Sequence, residues 1–312
     1  MSVRFSDLVN RKGVIPTPEE LAVLAAGFRL EMFDILHKRQ TGHWGGASSA
    51  AEIITTLYFR ILNLRSYEPL WEDRDRFILS KGHASVNLYT VLAYRGFFPP
   101  EELSSFRTLG SMLQGHPNMN LTPGVDFSTG ALGHGVSAAA GMALAAGLKK
   151  KKYRTYVMVG EGCLDEGQTW EALLFAAKYK PRGLVLLVDY NKVQLDGPSR
   201  DILPLEPLGD KLLSFGWHLA PQIYNGHDTV AILDSLQWLD SNFSSNPSLN
   251  LSPDLPEDEA WPKAIIYDTI KAKGVSFMEG KNIWHGSPID DSSYAKGRDE
   301  LAADLAQKEA AL

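Results

Sequence analysis

Cysteine is nearly absent: Cys163 is the only one in 312 residues, so no internal disulfide can form, and a reducing, cytoplasmic setting is expected. No long apolar run exists either. The longest small-residue stretch, Val136–Leu148, is too short to span a bilayer, and the N-terminus shows no apolar signal core, so neither a membrane span nor a leader is expected. Basic excess is missing as well, the formal net charge being −6, which argues against a nucleic-acid surface. The histidines lack the short ligand spacing of a zinc site, and there is no internal repeat.

What is present is a chain with 44% hydrophobic residues, enough for a sizeable α/β core. Its densest stretch is Val157–Gly197. An apolar run ends in Gly160-Glu161-Gly162, an amphipathic segment follows, and the β-rich Gly183–Asp189 leads into Tyr190-Asn191-Lys192-Val193. That order predicts strand, helix and parallel strand, with both strand ends at one edge of the sheet, so Glu161 and Asn191 can converge. A carboxylate, an amide oxygen and the main-chain carbonyl of Val193 suit a hard cation such as Mg²⁺. The flanking glycines let backbone approach a diphosphate whose oxygens complete the shell.

Around this unit the sequence predicts helices over Pro18–Lys38, opened by the capping box Thr17-Pro-Glu-Glu20, and from a Ser49–Glu52 cap to about Leu62. A strand is expected at Arg76–Ser80, a helix over Ala84–Tyr94 and a short one at Pro100–Arg107. Further strands are expected at Trp217–Tyr224 and Lys263–Thr269, and helices from His227 to about Leu239 and from Asp290 to Gln307. A surface excursion, rich in Ser, Asn and Pro, is expected at 241–261. One domain is expected over residues 1–312. Four histidines, His43, His83, His116 and His285, stand on glycine-flanked turns, where neutral imidazoles can exchange protons with hydroxyl groups. His227 reads as a loop or cap residue.

The ordered set Gly160-Glu161-Gly162, Glu166-Gly167, Asn191-Lys192-Val193 and Asp196-Gly197 resembles the N-terminal, thiamine-diphosphate-binding half of transketolase. Ser80-Lys-Gly-His83, Gly115-His116-Pro117 and Trp284-His285-Gly-Ser-Pro288 resemble further motifs of that family. The resemblance implies a parallel sheet flanked by helices, thiamine diphosphate with Mg²⁺, and metal ligation by Glu161, Asn191 and the Val193 carbonyl. It further implies cofactor contacts from His83, Gly130, Leu132, Gly160, Gly162 and Asn191, with His43, His83, His116 and His285 near the sugar. One departure stands out, since Glu161 replaces the family's aspartate and adds a methylene.

The family's pyrimidine-binding and third domains have no counterpart in this sequence. The resemblance therefore implies the N-terminal subunit of a split transketolase, joined in an α2β2 assembly by a separate chain carrying those domains. Together they would move a two-carbon ketol unit from a ketose to an aldose, on sugar substrates expected to be phosphorylated. Two alternatives stay open at this point. One is a different thiamine-diphosphate chemistry, 2-oxo acid decarboxylation or deoxyxylulose-phosphate synthesis; the other is a non-catalytic binding or regulatory remnant.

Overall fold

A computed structural model describes residues 3–11, 13–243 and 262–312. Six strands are present among them: β1 (Arg76–Leu79), β2 (Thr155–Gly160), β3 (Leu184–Tyr190), β4 (His218–Leu219), β5 (Tyr224–Asn225) and β6 (Lys263–Asp268). Their spatial order is β1-β2-β3-β6-β4, with β5 also on β6, and every pairing is parallel. A parallel sheet is covered on both faces, so its strands carry apolar residues in unbroken runs.

The two faces are easily separated by the alternation along each strand. Phe77, Leu79, Tyr156, Met158, Val185, Leu187, Ile265 and Tyr267 join a core built with helices Pro18–Arg39, Ala51–Thr56, Ser85–Arg95 and Asp291–Ala310. Ile78, Val157, Val159, Leu186, Val188, Ala264 and Ile266 join a smaller core under helices His134–Leu148, Gly167–Tyr179 and Leu208–Ser214. The result is a three-layer α/β/α sandwich.

The first long helix forms as its capping box predicts. Glu20 N–H donates to Thr17 Oγ1 at 3.2 Å, and Thr17 N–H to Glu20 Oε2 at 2.8 Å. The cap expected at Ser49–Glu52 does not form. Helix begins earlier, at Trp44, pauses at Ala50 and resumes as Ala51–Thr56 with a π-helical end, Leu57–Ile61. Both polar residues of that motif are drawn into tertiary contacts instead: Ser49 Oγ donates to Asp189 at 2.6 Å, and Glu52 pairs with Arg29 at 2.6 Å.

The strand expected at Trp217–Tyr224 is broken into β4 and β5, because Pro221 has no N–H to give the ladder. The helix after His227 runs over Thr229–Phe243, past the expected end at Leu239. The excursion expected at 241–261 lies outside the described residues except for 241–243, which close that helix.

Candidate functional site

The register of the sheet assembles the first half of the site. Gly160 pairs with Asp189, so the residues just beyond each strand, Glu161 and Asn191, emerge side by side. Glu161 is buried, 2% exposed, and its Oε1 accepts the N–H of Lys192. Asn191, 8% exposed, accepts the Val193 N–H at 3.2 Å through Oδ1. The three expected oxygen donors therefore share one turn. Burial, reinforced by nearby Asp189, pushes the Glu161 carboxyl up to about 8 against the opposing pull of Lys81. The Lys192 ammonium is bonded instead to Asp268.

Behind Glu161 lies a buried ion pair that the sequence reading did not single out. Lys81, 2% exposed, bonds Asp189, which is fully buried, and donates to the Gly46 carbonyl at 2.6 Å. Ser49 and Thr269 hydroxyls also donate to Asp189. Burial opposes the Asp189 charge, yet Lys81 and the two hydroxyls hold its carboxyl below the usual carboxylate range. Charged residues at the ends of otherwise apolar strands, in Ser80-Lys81 and Val188-Asp189, were the available signal.

The four histidines meet in one cluster. Ring centroids lie 5.3 Å apart for His43 and His83, 5.4 Å for His43 and His285, 4.8 Å for His83 and His285, and 6.4 Å for His43 and His116. Burial drives all four toward the neutral imidazole. His43 falls to about 4, with Arg107 the next cause, and His285 to about 3, with Lys271 the next. His83 lies well below its ordinary value, and His116 is lowered by burial and Arg107.

Lys271, also missed, connects the two halves. Its Nζ donates to the Val193 carbonyl at 2.9 Å and lies 2.9 Å from His285 Nδ1. Burial brings this ammonium down to about 8. The segment carrying it is pinned residue by residue: Ile270 N–H donates to His227 Nε2 at 2.8 Å, and Ala272 N–H to the Gly45 carbonyl at 3.0 Å. His227, in the turn before the Thr229–Phe243 helix as expected, has its Nδ1 3.1 Å from Glu52 Oε2, so this loop residue also fastens the segment.

The loop before helix His134–Leu148 closes the site. A Cβ on Gly82 would lie 2.5 Å from Thr129 Oγ1 and 3.1 Å from Gly130 N, so the turn holding His83 touches this loop directly. Gly130 faces His116, while Leu132 lies against Gly162. Two buried polar atoms lining these loops, His43 Nδ1 and Thr129 Oγ1, have no hydrogen-bond partner among the described residues. Unpartnered polar atoms, glycine-walled turns and the buried Glu161 carboxylate fit a polar, anionic cofactor with its cation. Among the described residues no three His, Cys, Asp or Glu cluster as metal ligands, so a metal at Glu161 draws on amide, carbonyl and ligand oxygens.

Residues 22–309 match the family described as transketolase, thiamine diphosphate binding domain. The chain belongs to this family. A 6-deoxy-6-sulfo-D-fructose transketolase subunit from Clostridium sp. (strain MSTE9) is 39% identical over 264 residues, covering 85% of this chain and 90% of that relative. One of the apulose-4-phosphate transketolase subunits, from Phocaeicola vulgatus, is 34% identical, covering 91% of this chain and 94% of that relative. The crystal structure of transketolase from Campylobacter jejuni superposes with a TM-score of 0.78 at 27% identity, over 93% of this chain and 45% of that one. The chain thus spans less than half of that solved transketolase. The expected parallel, thiamine-diphosphate-binding fold is the one observed.

Proposed function

We propose that this chain is the N-terminal subunit of a two-subunit, cytoplasmic transketolase, active as an α2β2 assembly with a chain that carries the pyrimidine-binding domain. Its reaction is transfer of a two-carbon ketol unit from a ketose to an aldose. The observation that carries the proposal is the joining of the Glu161–Asn191 strand ends to the four-histidine cluster through Lys271. Two relatives covered over 90% and 94% of their length are named as transketolase subunits, which supports the division into two chains.

Glu161, Asn191 and the Val193 carbonyl would hold Mg²⁺, and Gly160, Gly162, Gly130, Leu132 and His83 would line thiamine diphosphate. Bound there, the cofactor supplies a nucleophilic carbon and a sink for the electrons of the broken carbon–carbon bond. The chain's own part is to orient and to move protons. Neutral His43 and His116 each carry one N–H and one lone pair for sugar hydroxyls, so a proton can pass either way, while His285, whose Nδ1 accepts from Lys271, is left with an Nε2–H to donate. Lys271 keeps a positive charge beside them and fixes His285 through Nδ1.

Assays of the chain alone, the partner alone and both together test this reading. Ketol transfer from a ketose only in the mixture is expected. Transfer by the isolated chain would refute the two-subunit reading, and turnover of pyruvate but not ketoses would replace it with a decarboxylating or deoxyxylulose-phosphate chemistry. Absence of thiamine diphosphate and Mg²⁺ binding in the mixture would leave a non-catalytic remnant.

A further inference from the structure

Lys271, the link between the two halves of the site, stands where local backbone preference does not hold it. Ile270 and Lys271 lie outside any strand or helix, and Ala272, directly after them, takes left-handed backbone, φ 59°, a region that strains any residue other than glycine. Such a conformation persists only where the surroundings fix it. On the far side of Lys271 the Gly45 carbonyl holds the Ala272 N–H. On the near side the Ile270 side chain is 37% exposed and anchors little, so its peptide depends on the N–H bond to His227 Nε2.

That bond decides the state of the His227 ring. A nitrogen that accepts carries no proton, so the ring's N–H is Nδ1–H, and it faces Glu52 Oε2 at 3.1 Å. Glu52 is buried and shared with Arg29, which is itself buried and bonded to the Ser48 hydroxyl at 3.0 Å and the Ser48 carbonyl at 3.1 Å. Burial disfavours the Glu52 charge, yet Arg29 and then His227 outweigh it and hold the carboxyl below its ordinary range. An ionised acceptor therefore fixes Nδ1–H, as a carboxylate behind an imidazole does. The turn carrying His227 is tied to the end of β6: Gly226 N–H donates to the Asp268 carbonyl at 2.9 Å, and a Cβ on Gly226 would lie 2.4 Å from Thr269 Cγ2.

We infer that His227, locked in one tautomer by Glu52 and Arg29, is a positioning residue for the reaction: by fixing the Ile270 peptide it keeps Lys271 on His285 Nδ1 and so keeps the His285 proton on Nε2. The inference rests on the transketolase reading only for its last step, in which that proton serves a sugar hydroxyl.

The test begins with the wild-type chain carrying ¹⁵N-labelled histidine. Long-range ¹H–¹⁵N correlations should show His227 protonated on Nδ1 and His285 on Nε2. A His227 protonated on Nε2 would leave Ile270 without its acceptor and overturns the inference. His227→Phe keeps a ring in place but removes both bonds, so the His285 Nδ1 resonance should shift as Lys271 loosens. In the chain reconstituted with its partner, thiamine diphosphate and Mg²⁺, kcat for a ketose donor should then fall about 10- to 100-fold with KM kept within about threefold. His227→Gln, whose amide oxygen can still accept from Ile270, should recover part of both. Ser235→Ala removes a buried bond to the Tyr267 hydroxyl, 2.7 Å, on the same strand β6, and is the control for lost stability. It should leave the His285 resonances and kcat at their wild-type values. An unmoved His285 or an unchanged kcat in His227→Phe overturns the inference, as does a loss that Ser235→Ala reproduces. Should His227→Phe not fold, the wild-type tautomers and the His227→Gln variant decide in the same way. Should the wild-type mixture transfer nothing, the transketolase reading fails by itself, and the His285 resonances alone judge His227.

Discussion

Glu161 is the residue on which cofactor retention turns. Its carboxyl is raised to about 8 because it is buried and faces Asp189, so a cation is needed to keep it ionised. Glu161→Gln should weaken thiamine diphosphate binding by at least about tenfold and flatten its dependence on Mg²⁺, read by tryptophan quenching across a Mg²⁺ series. An unaltered Mg²⁺ dependence would remove Glu161 from the ligand set. Asp189 plays the opposite part, as a structural counter-ion. Asp189→Ala strands the buried Lys81 ammonium and should cost about 3–5 kcal/mol in urea unfolding, whereas Lys81→Met combined with Asp189→Leu should cost less. His43 sets an acid limit. Its folded value of about 4 lies below the ordinary 6.5, so between those values the unfolded chain binds a proton that the fold refuses. Stability should therefore fall as pH drops through that window and level off above it. Thermal midpoints at pH 7.5 and 5 should differ less in His43→Gln than in the wild type.

At the level of elements, contact between the turn at Gly82–Ala84 and the loop ahead of His134–Leu148 depends on a missing side chain. Gly82→Ala would drive a methyl to within 2.5 Å of Thr129 Oγ1, and a stability loss of about 1–3 kcal/mol is expected, with cofactor affinity falling alongside. An unchanged urea midpoint would mean that the loop yields freely. The same elements reveal what could be read from the residues and what could not. The strands and the convergence of Glu161 with Asn191 were legible, since apolar runs and glycine turns are local signals and parallel topology fixes which ends meet. The His43, His83, His116 and His285 turns were legible as separate motifs; their assembly is a property of the sheet edge. Lys81, Asp189 and Lys271 were not singled out, because each acts through a partner far along the chain: Lys81 through Asp189, and Lys271 through Val193 and His285. The false cap at Ser49–Glu52 has the same origin. A pattern that caps an isolated helix was outcompeted by a buried arginine and a buried aspartate.

For the molecule as a whole, the parallel sheet separates chemistry from attachment. Glu161, Asn191, Lys81 and Lys271 all follow the trailing ends of β2, β3, β1 and β6. The leading residues Arg76, Thr155 and Leu184 pair in register at the other rim, with Lys263 one residue further in, opposite Val185. The turns Lys149–Arg154 and Pro181–Gly183 lie at that rim, where the Arg154 carbonyl accepts the Arg76 N–H and the Gly183 carbonyl the Thr155 N–H. A fluorophore or a surface tether coupled to Lys149, which caps the helix at that rim, should thus leave coenzyme uptake intact, giving a natural handle for immobilising the protein with its reactive mouth facing outward.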